Sequence, residues 1–322
     1  MKKVLFHNHS LTFRGVTNAT VDYAEYNQSV LGNESVLIYN PSFNKEGLEI
    51  HTRPEVVDVL KKRFKLLEYT NEKELNDIAS EYDAVYFQNS GAKEGPFVTS
   101  TKSLIHSVFQ FHEPHGDVYA YISKWLSDYI TGGKSPYVPL IVDMPPPHPR
   151  FRQVFRDNLK IPQDAYVFGR HGGHYTFDLR NTMQAVVDIV HKYKNVYFLF
   201  ANTIKFYDHP QIIHVPPFFG PLEKSNFIST CDAMIHGRNL GESFGLSICE
   251  FLFHNKPVVA WEGGFDKNHV EILGSRDLLY SESNVKEKML SVLGRLGEDY
   301  KSLVEPYNPN NVMKKFDEVF LK

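Results

Sequence analysis

Cysteine, tryptophan and long apolar runs are what this chain of 322 residues has least of. It holds 2 cysteines, Cys231 and Cys249, both in apolar surroundings. They read as buried free thiols, so no disulfide framework is expected and a reducing, cytoplasmic compartment is. No apolar run approaches the ~18–20 residues that span a bilayer, so no transmembrane segment is expected, which leaves peripheral membrane contact open. The basic start MKKVLFHNHS has too short an apolar stretch for a signal peptide and reads as a first strand. A dominant charge is also missing: the net charge is -3, so no nucleic-acid partner is expected. No Gly-x-Gly-x-x-Gly follows the first strand and there is no Walker loop, so dehydrogenase and P-loop kinase lack their key parts. A serine hydrolase is not expected either. The pairs His7-x-His9, His112-x-x-His115 and His171-x-x-His174 have no His-Glu-x-x-His or cysteine cluster beside them, so neither a metal site nor a resident cofactor is expected.

What is present suits a folded enzyme-sized chain. Hydrophobic residues make up 42%, enough to bury a real core, and the 24 Phe and 18 Tyr supply large packing elements. Strand and helix patterns alternate. Val4–Phe6, Ser35–Tyr39, Leu66–Tyr69, Asp83–Phe87, Ser103–Phe111 and Val118–Ile122 read as strands. Helices are expected from an Asn18 cap to Val30, over Pro54–Phe64 and over Glu72–Tyr82. The proline run Pro145-Pro146-Pro147-His148-Pro149 cannot be helix and reads as a linker. A second alternating series follows, with strands at Tyr166–Phe168, Val196–Phe200, Ile212–Val215, Ala233–Ile235 and Val258–Trp261. Helices are expected over Leu179–Tyr193, Lys224–Thr230, Val285–Leu296 and Asn311–Leu321. Such alternation predicts two α/β domains with doubly wound parallel sheets, over residues 1–144 and 145–305, with a closing helix in 306–322. Ligand groups in such sheets come from the carboxyl ends of strands.

The stretch Arg238–Gly264 carries the chemistry. Seven residues separate Glu242 from Glu250, with Ser243-Phe244-Gly245-Leu246 among them opening an apolar helical run. A helix starting near Gly245 aims its unpaired N–H groups and positive dipole end forward, a ready place for a phosphate. Gly245 lets backbone approach that ligand closely. Glu250 then lies about 7–8 Å further along the helix. Two carboxylates cannot bind a diphosphate themselves. They suit hydroxyls on either side of it. Hydroxyls, a diphosphate and more hydroxyls describe a nucleotide sugar.

In these residues the sequence resembles the family 4-like retaining glycosyltransferases of the GT-B fold, whose two Rossmann-like domains face a central cleft; the resemblance implies an acceptor domain over 1–144, a donor domain over 145–305 and a last helix, in 306–322, that crosses back onto the first domain. The shared string is Glu-x7-Glu around Phe-Gly-Leu, then a helix, Lys256-Pro257-Val258-Val259, and Gly263-Gly264. The resemblance implies that Glu250 holds the donor ribose, that Glu242 contacts the donor sugar, and that the Phe244–Leu246 backbone lies beside the diphosphate. It implies metal-independent transfer of a sugar from a nucleotide diphosphate to a glycan or other hydroxyl acceptor. Arg170, after a buried strand and before glycines, is the first cation expected on the diphosphate. The family's Lys-Gly is missing, with Tyr175 near its place, so the second cation is Arg238, Arg180 or Lys205, with Arg238 favoured. His112, at the end of the fifth strand, is expected to position the donor sugar, with Glu113 as a weaker alternative. Gly15, on the first strand-end loop, is expected to bind the donor. Phe218-Phe219-Gly220 lies where the family has its base-side loop, and Phe219 reads either as a ring on the base or as core. The rival from another class is a non-catalytic GT-B-like module that binds a nucleotide sugar or glycan without turnover.

Overall fold

A computed structural model describes residues 1–45, 50–274, 278–295 and 298–322. The chain forms two compact units: Met1–Ile141 with Tyr307–Lys322, and Val142–Pro306. In the first, six parallel strands lie in the order Lys65–Glu68, Glu34–Tyr39, Lys3–Asn8, Ala84–Asn89, Lys102–Ser107, Val118–Tyr121. In the second the order is Ile212–Val215, Val196–Ala201, Tyr166–Arg170, Ala233–Ile235, Val258–Trp261, Leu279–Tyr280. Each sheet starts at its middle, winds to one edge, returns and winds to the other. This is the doubly wound arrangement that the alternating pattern predicts.

The strands form where both faces can be buried. Val4, Leu5 and Phe6 are 0% exposed, and such continuous apolar runs are the mark of a parallel sheet covered on both sides. Removing each from water contributes about 1.5–3 kcal/mol. Helix ends follow local chemistry. The Asn71 side chain accepts from the Glu74 amide at 3.0 Å and starts Glu72–Ala79. Gly132, left-handed at φ 62°, ends Lys124–Thr131. The last α-helix, Pro309–Phe316, continues as a π-helix over Asp317–Leu321 and belongs to the first unit, where Phe316 packs on Phe6, Tyr23 and Tyr86.

Several expected boundaries move. The first helix is Gly15–Ser29, so Gly15 is its opening residue rather than a loop residue. Asn18 does not cap it; its amide donates back to the Arg14 carbonyl at 2.9 Å. The fifth strand stops at Ser107, so His112 stands in the loop beyond it. The polar Gln110, His112 and Glu113 that follow have no sheet face to bury. Residues 90–101, between two parallel neighbours, contain no helix at all. Phe151–Asn158 is a helix that the sequence reading left out. Leu296, the expected end of the helix from Val285, lies outside the described residues. Among those described, no helix is long and apolar enough to cross a membrane.

Candidate functional site

In the second unit the strand order reverses between the parallel neighbours Tyr166–Arg170 and Ala233–Ile235. Arg170 ends the first of these strands and His236 follows the second, so both stand at the switch point where such sheets take ligands. The loop after His236 returns through Glu242 to the helix Leu246–Phe253.

That loop is pinned. Gly241–Glu242 pairs with Asp266–Lys267 in a short parallel ladder. Gly241 has φ 75°, and a Cβ there would meet the Asp266 carbonyl oxygen at 1.9 Å, so only glycine fits. The Asn268 amide donates to the Phe244 carbonyl at 2.8 Å. The Tyr280 hydroxyl donates to the His236 carbonyl at 2.6 Å, and the Asn239 amide donates to Asp178 at 2.7 Å. Gly245, left-handed at φ 95°, caps the helix, whose first-turn amides have no intrahelical acceptor. Phe244 is 2% exposed; its ring anchors the turn while its backbone starts the helix.

Both carboxylates are ion-paired. Glu242 Oε2 accepts from Arg238 Nη1 at 2.9 Å, and Oε1 lies 3.3 Å from His236 Nε2. Burial alone pushes the Glu242 carboxyl upward, but the hydrogen bond from His236 and the charge of Arg238 outweigh it and hold it at about 2. Glu250, buried inside the helix, has Lys224 Nζ at 2.5 Å on Oε1 and His171 Nε2 at 3.1 Å from Oε2. The imidazole approach is off the line of a good hydrogen bond. Burial again works upward on Glu250, while Lys224 and His171 bring it down to about 2. Both groups are therefore carboxylates at any ordinary pH.

Arg170 is buried. It donates to Thr203 and Thr176 hydroxyls at 2.5 Å each and to the Gly173 carbonyl at 3.2 Å, and it lies over the Phe177 ring. Burial lowers it to about 10, still a cation. Part of its donor set remains for a ligand. The buried nitrogens His236 Nδ1, His269 Nδ1 and Trp261 Nε1 have no hydrogen-bond partner. His269 donates instead from Nε2 to the Trp261 carbonyl at 2.7 Å, with its ring 5.0 Å from that of His236.

Of the expected residues, the second unit thus gathers Arg170, Arg238, Glu242, Phe244, Gly245, Leu246 and Glu250. Phe219 is half-buried in the loop before the helix Pro221–Thr230; its neighbour Phe218 packs against His171. Arg180 is exposed, and Lys205 pairs with Asp208. His112 and Gly15 belong to the first unit. His112 is exposed and bonds Tyr121 at 2.7 Å through Nδ1. A Cβ on Gly15 would meet nothing within 4 Å. The sequence reading missed Lys224, His236 and His269, and weighed His171 only as a metal ligand. His171 and His236 follow strand ends and were findable by that rule. Lys224 is 26 residues from Glu250, with no local signal.

The sequence reading counted Gly-x-Ser-x-Gly, the spacing of a hydrolase nucleophile elbow, as absent, but the turn Gly241-Glu242-Ser243-Phe244-Gly245 has it. The geometry separates it from that motif. An elbow serine sits on a strained turn, whereas the described non-glycine residues with positive φ are Lys160, Asn202 and Asn255. Ser243 is buried, and no hydrogen bond joins it to an imidazole among the described residues. No group of three or more His, Cys, Asp or Glu side chains among the described residues is arranged to hold a metal ion.

No protein-family model matches this sequence, and no curated protein sequence does. Solved structures share its fold. The crystal structure of Alr3699/HepE from Anabaena, in complex with UDP and glucose, matches with TM-score 0.74 over 99% of this chain and 99% of that one, at 11% identity. A glycosyltransferase from Rickettsia africae matches with TM-score 0.69 over 99% and 97%, at 14% identity. AviGT4, a glycosyltransferase of avilamycin A biosynthesis, matches with TM-score 0.63 over 100% and 97%, at 13% identity. The chain has the GT-B fold of two Rossmann-like units, as its sequence led us to expect.

Proposed function

We propose that this chain is a glycosyltransferase that moves a sugar from a nucleotide-diphosphate donor to a hydroxyl of a glycan or other acceptor. In this reading the anomeric configuration is retained and no metal ion is required. One observation carries it: Glu242 and Glu250, both held ionised at about 2, stand ahead of and within a helix whose glycine-capped start suits a diphosphate. The structures of Alr3699/HepE with UDP and with UDP-glucose give the fold a precedent for such ligands.

Each residue then has a physical task. The helix amides, Arg170 and Arg238 take up charge on the departing diphosphate, a stabilisation realised as the bond breaks. Glu242 accepts from a hydroxyl of the donor sugar, and His236 and Arg238 fix its orientation. Glu250 accepts from the ribose hydroxyls. A carboxylate offers about four acceptor positions, so ribose can bind without displacing Lys224. In this reading Phe219 is assigned to the base, Gly15 to the donor and His112 to the donor sugar.

The second reading is a nucleotide-sugar or glycan binder without turnover. It is favoured by Tyr175, 53% exposed where the lysine is missing, and by Arg238 being engaged with Glu242. Nucleoside diphosphate release from a panel of donors, with wild type and Glu242→Ala, separates the two. Transfer that Glu242→Ala cuts by roughly 100-fold or more supports the enzyme, in the range for losing one transition-state contact. Donor binding with no release for any donor and acceptor supports the module.

A further inference from the structure

The first unit carries a feature that the donor site does not use. Parallel neighbours are joined as a rule through a crossover helix that covers the sheet. Between Ala84–Asn89 and Lys102–Ser107 that helix is replaced by the irregular segment 90–101. Under it lies a cavity of about 680 Å³. Its floor is the sheet face at Phe87 and Ile105, both 4% exposed. The size falls in the roughly 300–1,000 Å³ range of small-ligand sites.

The covering segment is anchored to the unit. Asn76, on the helix Glu72–Ala79, donates to the Phe97 carbonyl at 2.9 Å and accepts from the Thr99 amide at 2.9 Å. Glu72 accepts from the Phe97 amide at 3.0 Å. The cavity is therefore built by fixed hydrogen bonds.

Its lining points to one chemical class. The charged lining residues are Lys93, Lys102, Glu94 and Asp117, which cancel. Three of them are already engaged: Lys102 with the Phe320 carbonyl, Glu94 with Ser90, and Asp117 with the Ser103 amide. An ionic ligand finds no net field there. His115 Nδ1 donates to the Glu113 carbonyl at 2.7 Å, which in the neutral ring leaves Nε2 as an acceptor. Asn89 Nδ2 faces that nitrogen at 3.5 Å, too long for a good bond. A hydroxyl group, which accepts and donates at once, completes this pair. Phe97, 37% exposed and edge-on to His115, adds an aromatic surface for the apolar face of a sugar ring.

We infer that this cavity binds an uncharged saccharide. Its role as the acceptor pocket rests on the transferase reading; the binding itself does not. The test is saturation-transfer NMR on the full chain, with methyl α-glucoside, maltose and lactose as neutral probes and glucose 6-phosphate as the charged one. The expected result is a signal from a neutral saccharide, cut at least fivefold by Phe97→Ala and by His115→Ala, and none from the phosphate. Circular dichroism and nucleoside diphosphate binding are measured on the same samples. A variant that stays folded and loses the saccharide supports the assignment. No neutral binding, equal binding in both folded variants, or preference for glucose 6-phosphate overturns it. Failure of the transferase reading shows separately, as absence of nucleotide binding by the wild type.

Discussion

Removing Lys224 should cost the second unit much of its stability, because it strands a buried charge. The Glu250 carboxyl lies at about 2 in the folded chain against an ordinary value of 4.5. A displacement of that size corresponds to about 3 kcal/mol of stabilisation of the ionised form. The sign is that of a depressed acid: the contribution is complete above about pH 4.5 and is lost as pH falls through about 2. Lys224 is the leading attractive cause, and its side chain is only 12% exposed, so screening by solvent is weak. Lys224→Met leaves Glu250 with a misaligned imidazole as its remaining partner. Breaking a buried pair by removing one member costs about 3–5 kcal/mol, so a loss of about 3 kcal/mol at pH 7 is expected. Adding Glu250→Gln removes the stranded charge and should restore at least half of it. The assay is urea unfolding read by Trp261 fluorescence in a Trp125→Phe background, which reports the second unit alone. A loss below about 1 kcal/mol, or a double variant no more stable than the single one, refutes the reasoning.

Two glycines should behave oppositely. Gly241→Ala drives a Cβ into the Asp266 carbonyl at a left-handed φ and should lower stability by at least about 2 kcal/mol in thermal unfolding. Gly15→Ala meets no atom and opens a helix, so stability should hold or rise by up to about 1 kcal/mol; a fall in transfer rate without a fall in stability is the outcome if Gly15 contacts the donor. Acidification should destabilise the fold in two stages. His106, His254 and His269 are lowered by burial to about 4, so the unfolded chain binds more protons and stability drops from about pH 6.5 toward 4. Glu242 and Glu250 then contribute a second loss from about 4.5 toward 2. Urea midpoints that stay flat between pH 7 and 4 contradict the first stage.

The fold was legible because parallel strands buried on both faces read as unbroken apolar runs. Val4–Phe6 and Ala233–Ile235 need no context to be recognised. The loop Glu242–Gly245 was legible for another reason: its acid and its glycine fall within one four-residue string, so spacing alone states the geometry. What spacing does not state is partnership across the fold. Lys224 meets Glu250 only because two helices pack, and His269 joins Trp261 only through the turn at Gly263. Segment 90–101 carries Pro96, Gly91 and Gly95, which mark an absent helix, yet the cavity beneath depends on the sheet face it fails to fill. The strand expected to run to Phe111 ends at Ser107 because Phe109 and Phe111 are exposed aromatics, 41% and 53%, rather than core. Residue type alone does not distinguish those two environments.

The central claim is that Glu250 grips ribose hydroxyls while the adjoining helix start holds a diphosphate. Isothermal titration with UDP, GDP and ADP, followed by the 2′,3′-dideoxy form of the tightest binder, tests it directly. A charge-assisted hydrogen bond contributes roughly 1.5–3 kcal/mol, so the dideoxy form should bind wild type roughly 10- to 150-fold more weakly, and Glu250→Gln should erase most of that difference. Binding of none of the three nucleotides, or full discrimination persisting in Glu250→Gln, would contradict the account.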